Sequence, residues 1–205
     1  MWGSLGAWVY DRTLARAEEA CLADWRRTLL AGAHGDVLEI GAGTGINVVH
    51  YPQAVRRLVL AEPDAAMRAR LKRRVGDRPD VTVIDATAEA IPMPDRAFDV
   101  VVSTLVLCSV DSPGRSLAEV WRILRPGGRF LFLEHVAAQG RPGRLRWQRL
   151  LEPAWRCLAG NCHLTRRTED SIAEMGFQLE GVQRESIRKV AGVVRPSVRG
   201  VALRP

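Results

Sequence analysis

The chain has 205 residues, 47% hydrophobic and 26% charged, with a formal net charge of +7. That is one domain's worth, long enough for a full core without disulfides and ordinary in balance for a soluble globular protein. It contains no repeat, no low-complexity tract and no apolar run near the roughly 18 residues of a spanning helix. No signal peptide is read at Met1, so the expected location is cytoplasmic, with at most a peripheral membrane contact. Cys21, Cys108, Cys157 and Cys162 form no Cys-x-x-Cys pair and have no histidine at zinc spacing; reduced thiols and no metal are expected. The positive charge comes from arginine against very few lysines, as in GC-rich bacterial proteins. Arg68, Arg70, Lys72, Arg73 and Arg74 read as a solvated helix face. No basic patch is interleaved with aromatics, so no nucleic-acid partner is expected.

Met1 to about Ala31 reads as helical, with Trp2, Trp8, Tyr10, Leu14, Cys21, Leu22, Trp25 and Leu29 in an irregular apolar stripe. Such a stripe packs on a sheet, covers a ligand site as a lid, or rests on a membrane surface. Asp36 to Ile40 is then a short buried strand that breaks into Gly41, Gly43 and Gly45. Asn47 opens a short amphipathic helix that Tyr51-Pro52 stops. Glycines let backbone approach a ligand, because no Cβ stands in the way, and a helix N-terminus adds free N–H donors. The spacing is Gly-x-Gly-x-Gly, unlike that of dinucleotide binders, and no Gly-Lys-Ser/Thr of a phosphate loop follows. Glu39, two residues before the first glycine, suits a cationic amino-acid ligand better than a pyrophosphate.

Strand two is Arg57 to Glu62. Its terminal acid falls about 20 residues after the glycines, where a second parallel strand offers a carboxylate to the two hydroxyls of a ribose. Asp64 is placed to cap a helix from Ala65 to about Val75, and Val81 to Ile84 is strand three. Phe98 to Ser103 is strand four, with Asp99 structural. The segment Thr104 to Val110 leaves that strand's C-terminal end, the edge where open α/β sheets bind ligands. A helix from Pro113 to Leu124 ends at Arg125-Pro-Gly-Gly128, a helix stop followed by a turn. Arg129 to Val136 is strand five, finishing in Glu134-His135. A basic amphipathic run, Arg144 to Leu158, carries Trp147 and Trp155. Thr168 reads as the cap of a helix from Glu169 to Met175, and Phe177 to Arg184 with Val198 to Leu203 as an antiparallel pair. The β-α alternation predicts an α/β fold, Rossmann-like and doubly wound, with a mostly parallel seven-stranded sheet and an antiparallel last strand.

Taken in order, Val37-Leu-Glu-Ile-Gly-Ala-Gly-Thr-Gly45, Ala61-Glu-Pro-Asp64, Phe98-Asp-Val-Val-Val-Ser103 and Leu124-Arg-Pro-Gly-Gly128 resemble the class I S-adenosylmethionine-dependent methyltransferases. A narrower resemblance rests on Thr104-Leu-Val-Leu-Cys-Ser-Val110, Glu119 to Gly128, Glu134-His-Val-Ala-Ala138, Glu152-Pro-Ala-Trp155, Asn161-Cys-His-Leu-Thr-Arg166 and Val194-Arg-Pro196. It is to the methyltransferase-like 7 group of alkyl thiol S-methyltransferases. The animal members begin with a hydrophobic membrane anchor that this sequence does not show. The resemblance implies S-adenosylmethionine as cofactor, with Glu39, Gly41, Gly43 and Gly45 at its methionyl end and Asn47 nearby. It puts Glu62, followed by Pro63, at the ribose, and Thr87 and Ala88, with Asp85, at the adenine. Thr104 and Leu105, at the strand edge, are counted among the cofactor-binding residues. One domain is expected, with residues 1–31 as a helical lid, 32–138 as the cofactor core, and 139–205 as the acceptor-covering segment and last strands.

The acceptor implied is a small molecule, foremost an alkyl thiol; O- or N-methylation of a natural product or lipid headgroup, or a non-catalytic scaffold, stay open. A thiol is already a few per cent thiolate at neutral pH, so a nearby cation or weak base suffices. His135, at the ligand edge next to Glu134, is the first candidate for that base or for binding the acceptor, against a structural histidine. His163 is the second. Cys108 and Cys162 are nucleophile-like or simply buried; Trp147 and Trp155 wall an apolar pocket or join the core.

Overall fold

Strand β1 (Gly35–Ile40) is buried at every position but its first, a pattern that requires cover on both faces. In the computed structural model, which describes residue 12 and residues 14–205, it is joined by β2 (Val55–Ala61), β3 (Val81–Ile84), β4 (Phe98–Thr104), β5 (Leu124–His135), β6 (Gln178–Ser186) and β7 (Pro196–Leu203). They form one seven-stranded sheet in the order β3-β2-β1-β4-β5-β7-β6. Strands β1 to β5 pair in parallel, and β7 runs antiparallel to both its neighbours. The direction of winding reverses between β1 and β4, and the crevice beyond the strand ends at such a reversal is the usual ligand site.

Alternation along the strands divides the core into two layers. Val37, Val100, Val102, Leu131 and Leu133 face one side, where helix α1 (Ala23–Leu30) and α2 (Ala65–Val75) cover them through Leu29, Leu30, Leu71 and Val75. Leu38, Ile40, Val101, Phe130 and Phe132 face the other, under α3 (Pro113–Ile123) and α5 (Thr168–Glu174), which contribute Leu117, Val120, Ile123 and Ile172. Each such Leu, Ile or Phe removed from water contributes about 1.5–3 kcal/mol. The long helix α4 (Pro142–Leu158) leaves Trp147, Leu150 and Leu158 exposed.

Helix α2 begins and ends where its signals put it: the Asp64 carboxylate accepts from the N–H groups of Ala66 and Met67, and Gly76 follows the last turn. Four expectations need correction. The helix after the glycine turn is only a 3₁₀ turn, Ile46–His50, because Pro52 leaves no room for a second turn. Strand β2 starts at Val55 and ends at Ala61, so Glu62 stands just beyond it. Arg125 to Gly128 is no turn but part of β5, whose first residue Leu124 pairs with Phe98 before the register shifts. Thr168 is not a cap: the helix starts there, the preceding Arg167 makes no side-chain cap, and Thr168 is buried. Of the basic face on α2, Lys72, Arg73 and Arg74 are exposed, but Arg68 folds back onto Asp85 at 2.7 Å. Trp2, Trp8 and Tyr10 lie outside the described residues.

Candidate active site

The turn after β1 needs glycine for two different reasons. Gly41 (φ +58°) and Gly45 (φ +85°) are left-handed, and a Cβ on either would stand 2.6 Å from a side-chain carbon of Val106 or Leu71. Gly43 (φ +58°) borders open space instead, since a Cβ there would meet nothing closer than 4.0 Å. Its N–H donates to Glu62 Oε2 at 2.8 Å, and the N–H of Asp64 donates to Oε1 at 2.8 Å. Burial pushes the Glu62 carboxyl up from its ordinary pKa, and the two backbone donors pull it back. Each oxygen keeps a lone pair for a further donor, which suits the vicinal hydroxyls of a ribose. Pro63 is exposed at the same corner. Farther along the edge Thr87 is exposed and bridged to Ala90, and Ala88 is buried; Asp85 is engaged by Arg68.

Below the turn lies a polar floor. Glu39, 2% exposed, accepts from Asn47 Nδ2 at 2.8 Å and from the Tyr51 hydroxyl at 2.6 Å. Burial raises its pKa to about 7 in spite of those bonds. Asn47 also donates to Thr104 Oγ1 at 2.9 Å. Arg26, from α1, closes the network: Nη1 donates to Asn47 Oδ1 at 2.9 Å and to Thr104 Oγ1 at 2.8 Å, and the guanidinium pairs with Glu18 at 3.1 Å. Its charge is therefore shared, and Glu39 has no full counterion of its own. A buried carboxyl in that condition, beside a turn open at Gly43, can accept from a cationic donor. Sequence reasoning missed Arg26. A lone arginine gives no signal, and only the apolar neighbours Leu22, just before the helix, and Leu29 and Leu30 within it would have turned it toward the sheet.

The edge beyond β4 and β5 is built on Glu134. Its Oε1 accepts from Ser103 Oγ at 2.6 Å and Val106 N–H at 3.2 Å. Burial raises its pKa to about 7, against these bonds and the N–H groups of Leu107 and Cys108. The carboxyl thus folds the segment after β4 back over the strand ends, with Leu105 in the left-handed region (φ +61°). His135 is 3% exposed; Nδ1 lies 3.7 Å from Cys162 Sγ, and Nε2 has no partner among the described residues. The two sulfurs of Cys108 and Cys162 and a ring nitrogen of His135 all lie within 4.8 Å of one another. The contact between the sulfurs lowers the pKa of Cys162, helped by His135, and raises that of Cys108, helped by burial.

His163 is set apart from this trio. Its Nδ1 is 3.3 Å from Glu152 Oε1, and Thr165 Oγ1 donates to the other oxygen at 2.6 Å. Burial, with Arg166 and Arg156, lowers its pKa against the pull of Glu152. The His163 backbone N–H donates to Cys108 O at 2.8 Å, Asn161 Nδ2 to Ser109 O at 3.1 Å, and Arg166 Nη2 to Val110 O at 2.7 Å. These bonds fasten the 161–166 segment over the 108–110 loop. Of the tryptophans, Trp147 is 59% exposed, neither in the core nor walling a closed pocket. Trp155 is half-buried, with its indole against the Cys162 sulfur.

Residues 38–132 match the methyltransferase domain family. Human thiol S-methyltransferase TMT1A is 33% identical over 202 residues, covering 96% of this chain and 82% of that protein. Human thiol S-methyltransferase TMT1B is 35% identical over 181 residues, covering 85% and 74%. Among solved structures, an S-adenosylmethionine-dependent methyltransferase of Thermotoga maritima, described as a possible histamine N-methyltransferase, matches with a TM-score of 0.70 at 22% identity, over 96% of this chain and 94% of that one. At that identity the likeness speaks for the fold, and the two human relatives speak for the family. The chain belongs to the S-adenosylmethionine-dependent methyltransferases, in the family that includes TMT1A and TMT1B, and uses S-adenosylmethionine as its cofactor.

Proposed function

We propose that this enzyme transfers a methyl group to the sulfur of a small alkyl thiol. The observation that carries the reading is the convergence of three segments, Thr104 to Val110, Glu134 to Ala138 and Asn161 to Arg166. They come from distant parts of the chain and are tied together beside the cofactor edge by the bonds from His163, Asn161 and Arg166. These are three of the six segments on which the resemblance to thiol S-methyltransferases rests, and two relatives bear that name. The cofactor supplies an electrophilic methyl on a good leaving group, so the protein's main task is to hold acceptor and methyl in line.

We assign Gly41, Gly43, Gly45 and Glu39 to the methionyl end, Asn47 to the polar floor beneath it, Glu62 and Pro63 to the ribose, Thr87 and Ala88 to the adenine, and Thr104 and Leu105 to the cofactor side of the strand edge. His135, buried at that edge, is placed to hold or deprotonate a thiol. His163, held by Glu152, acts as a positioning residue for the covering segment. The reading carries with it a cytoplasmic enzyme for a small-molecule acceptor, with no nucleic-acid partner. No helix among the described residues is long and apolar enough to cross a membrane.

The test is turnover on a panel of small thiols, phenols and amines, with products identified by mass spectrometry. Methylation of thiols, with a kcat/KM at least tenfold above that of any phenol or amine, is the expected result. Turnover confined to phenols or amines would overturn the acceptor while leaving the cofactor assignment intact.

A further inference from the structure

Cys108, His135 and Cys162 come from three separate elements, so their positions in the sequence carry no ligand spacing; the fold alone assembles them. They gather just past the carboxyl ends of β4 and β5, on the acceptor side of the cofactor turn. Three soft donors, two sulfurs and an imidazole nitrogen, lie within 4.8 Å of one another. A tetrahedral zinc ion, with bonds of about 2.3 Å to sulfur and 2.0–2.1 Å to nitrogen, would hold a sulfur and a nitrogen about 3.6 Å apart. The Cys162 Sγ to His135 Nδ1 distance is 3.7 Å. A second observation points to a ligand. His135 is 3% exposed, yet its ring makes only that long contact to sulfur at one nitrogen and none at the other among the described residues. Buried polar rings left so poorly satisfied are rare.

We propose that Cys108, His135 and Cys162 bind one zinc ion and leave its fourth position open to the acceptor. Two thiolates and a neutral imidazole are a borderline-soft donor set that suits zinc and does not suit magnesium or calcium. Two thiolates also neutralise the dication, which keeps the site compatible with the Arg166 guanidinium near Cys108. Three protein ligands with one free position is the arrangement of reactive rather than structural zinc. On binding, each cysteine thiol releases its proton to solvent. An acceptor thiol taking the fourth position does the same and is held as thiolate. The methyl–sulfonium bond of the cofactor then breaks as the methyl–sulfur bond of the acceptor forms, and no electron changes hands. In this arrangement His135 is a ligand and no base is needed. The metal-binding half rests on geometry alone; the acceptor half rests on the thiol reading above.

The test is titration of the reduced, metal-free full chain with Co²⁺, followed by the thiolate-to-cobalt charge-transfer absorption. The expected result is a band that saturates at one equivalent, is displaced by Zn²⁺, and shifts when a small alkyl thiol is added. Cys162→Ser, at a partly exposed position and checked for folding by circular dichroism, should bind Co²⁺ at least tenfold more weakly. Cys157→Ser, outside the cluster and exposed, should titrate like the parent. Absence of the band in folded, reduced protein, or an unchanged titration in folded Cys162→Ser, would overturn the site. A band unmoved by a thiol that the enzyme methylates would overturn the open position. A normal band in an enzyme that methylates no thiol would support the metal site and count against the acceptor reading instead.

Discussion

Each oxygen of Glu62 already accepts one backbone N–H, from Gly43 and from Asp64, so the side chain is oriented before any ligand arrives. Glu62→Ala removes both the orientation of the turn and a charge-assisted acceptor, and cofactor binding should weaken by about 2–3 kcal/mol in calorimetry. Unchanged affinity in a folded variant would refute the assignment. Glu134 makes a separate prediction. Its folded pKa, about 7, lies above the ordinary 4.5, so the fold favours the protonated acid. That contribution is whole below pH 4.5 and is lost as pH rises through about 7, to the order of 3 kcal/mol. Glu134→Gln cannot ionise, so its melting temperature should vary less than the parent's between pH 4.5 and 7; parallel curves would contradict this. The placement of Glu62 beside the glycine turn was legible because an acid after the second strand follows the glycines at a fixed spacing. Arg26 was not, because what matters about it is burial against Asn47 and Thr104, set by packing between distant segments.

Elements whose limits depend on neighbours in sequence were read closely, and those that depend on partners across the sheet were not. Helix α2 is framed by Asp64 and Gly76, local signals that act through the helix's own orphan N–H and C=O groups. Asp64→Ala should therefore cost about 1 kcal/mol in denaturant unfolding, and a neutral outcome would show that the cap contributes nothing. Strand β5 runs back through Arg125-Pro-Gly-Gly128 only because Leu124 finds Phe98 on β4, a pairing that local turn chemistry cannot announce. The glycine turn joins both cases. Gly45 was read as a ligand-approach glycine; its Cβ would also stand 2.6 Å from Leu71 Cδ1 at φ +85°, so helix packing alone already requires glycine there. Gly45→Ala should lose about 1–2 kcal/mol from the left-handed backbone alone, and more from displacing Leu71. A stability loss below about 0.5 kcal/mol would mean that the turn relaxes without strain.

At the scale of the whole molecule, the β-α alternation was sufficient for a doubly wound sheet, and β7 supplies the antiparallel strand that was expected near the end. The sheet brings two chemistries to one edge: a polar floor under a glycine turn, and a cysteine–histidine cluster beyond β4 and β5. The first was visible in the sequence as a motif. The second was not, since its members become neighbours only when the 161–166 segment folds over the 108–110 loop. The central claim is that this edge passes a methyl group from S-adenosylmethionine to a thiol sulfur. The most direct measurement is to supply cofactor carrying a deuterated methyl group together with one small alkyl thiol and an equal amount of a phenol and an amine, and to follow the label by mass spectrometry. The label should appear in the methyl thioether, one for each S-adenosylhomocysteine formed. Label on oxygen or nitrogen alone, or bound cofactor with no transfer to sulfur, would contradict that claim.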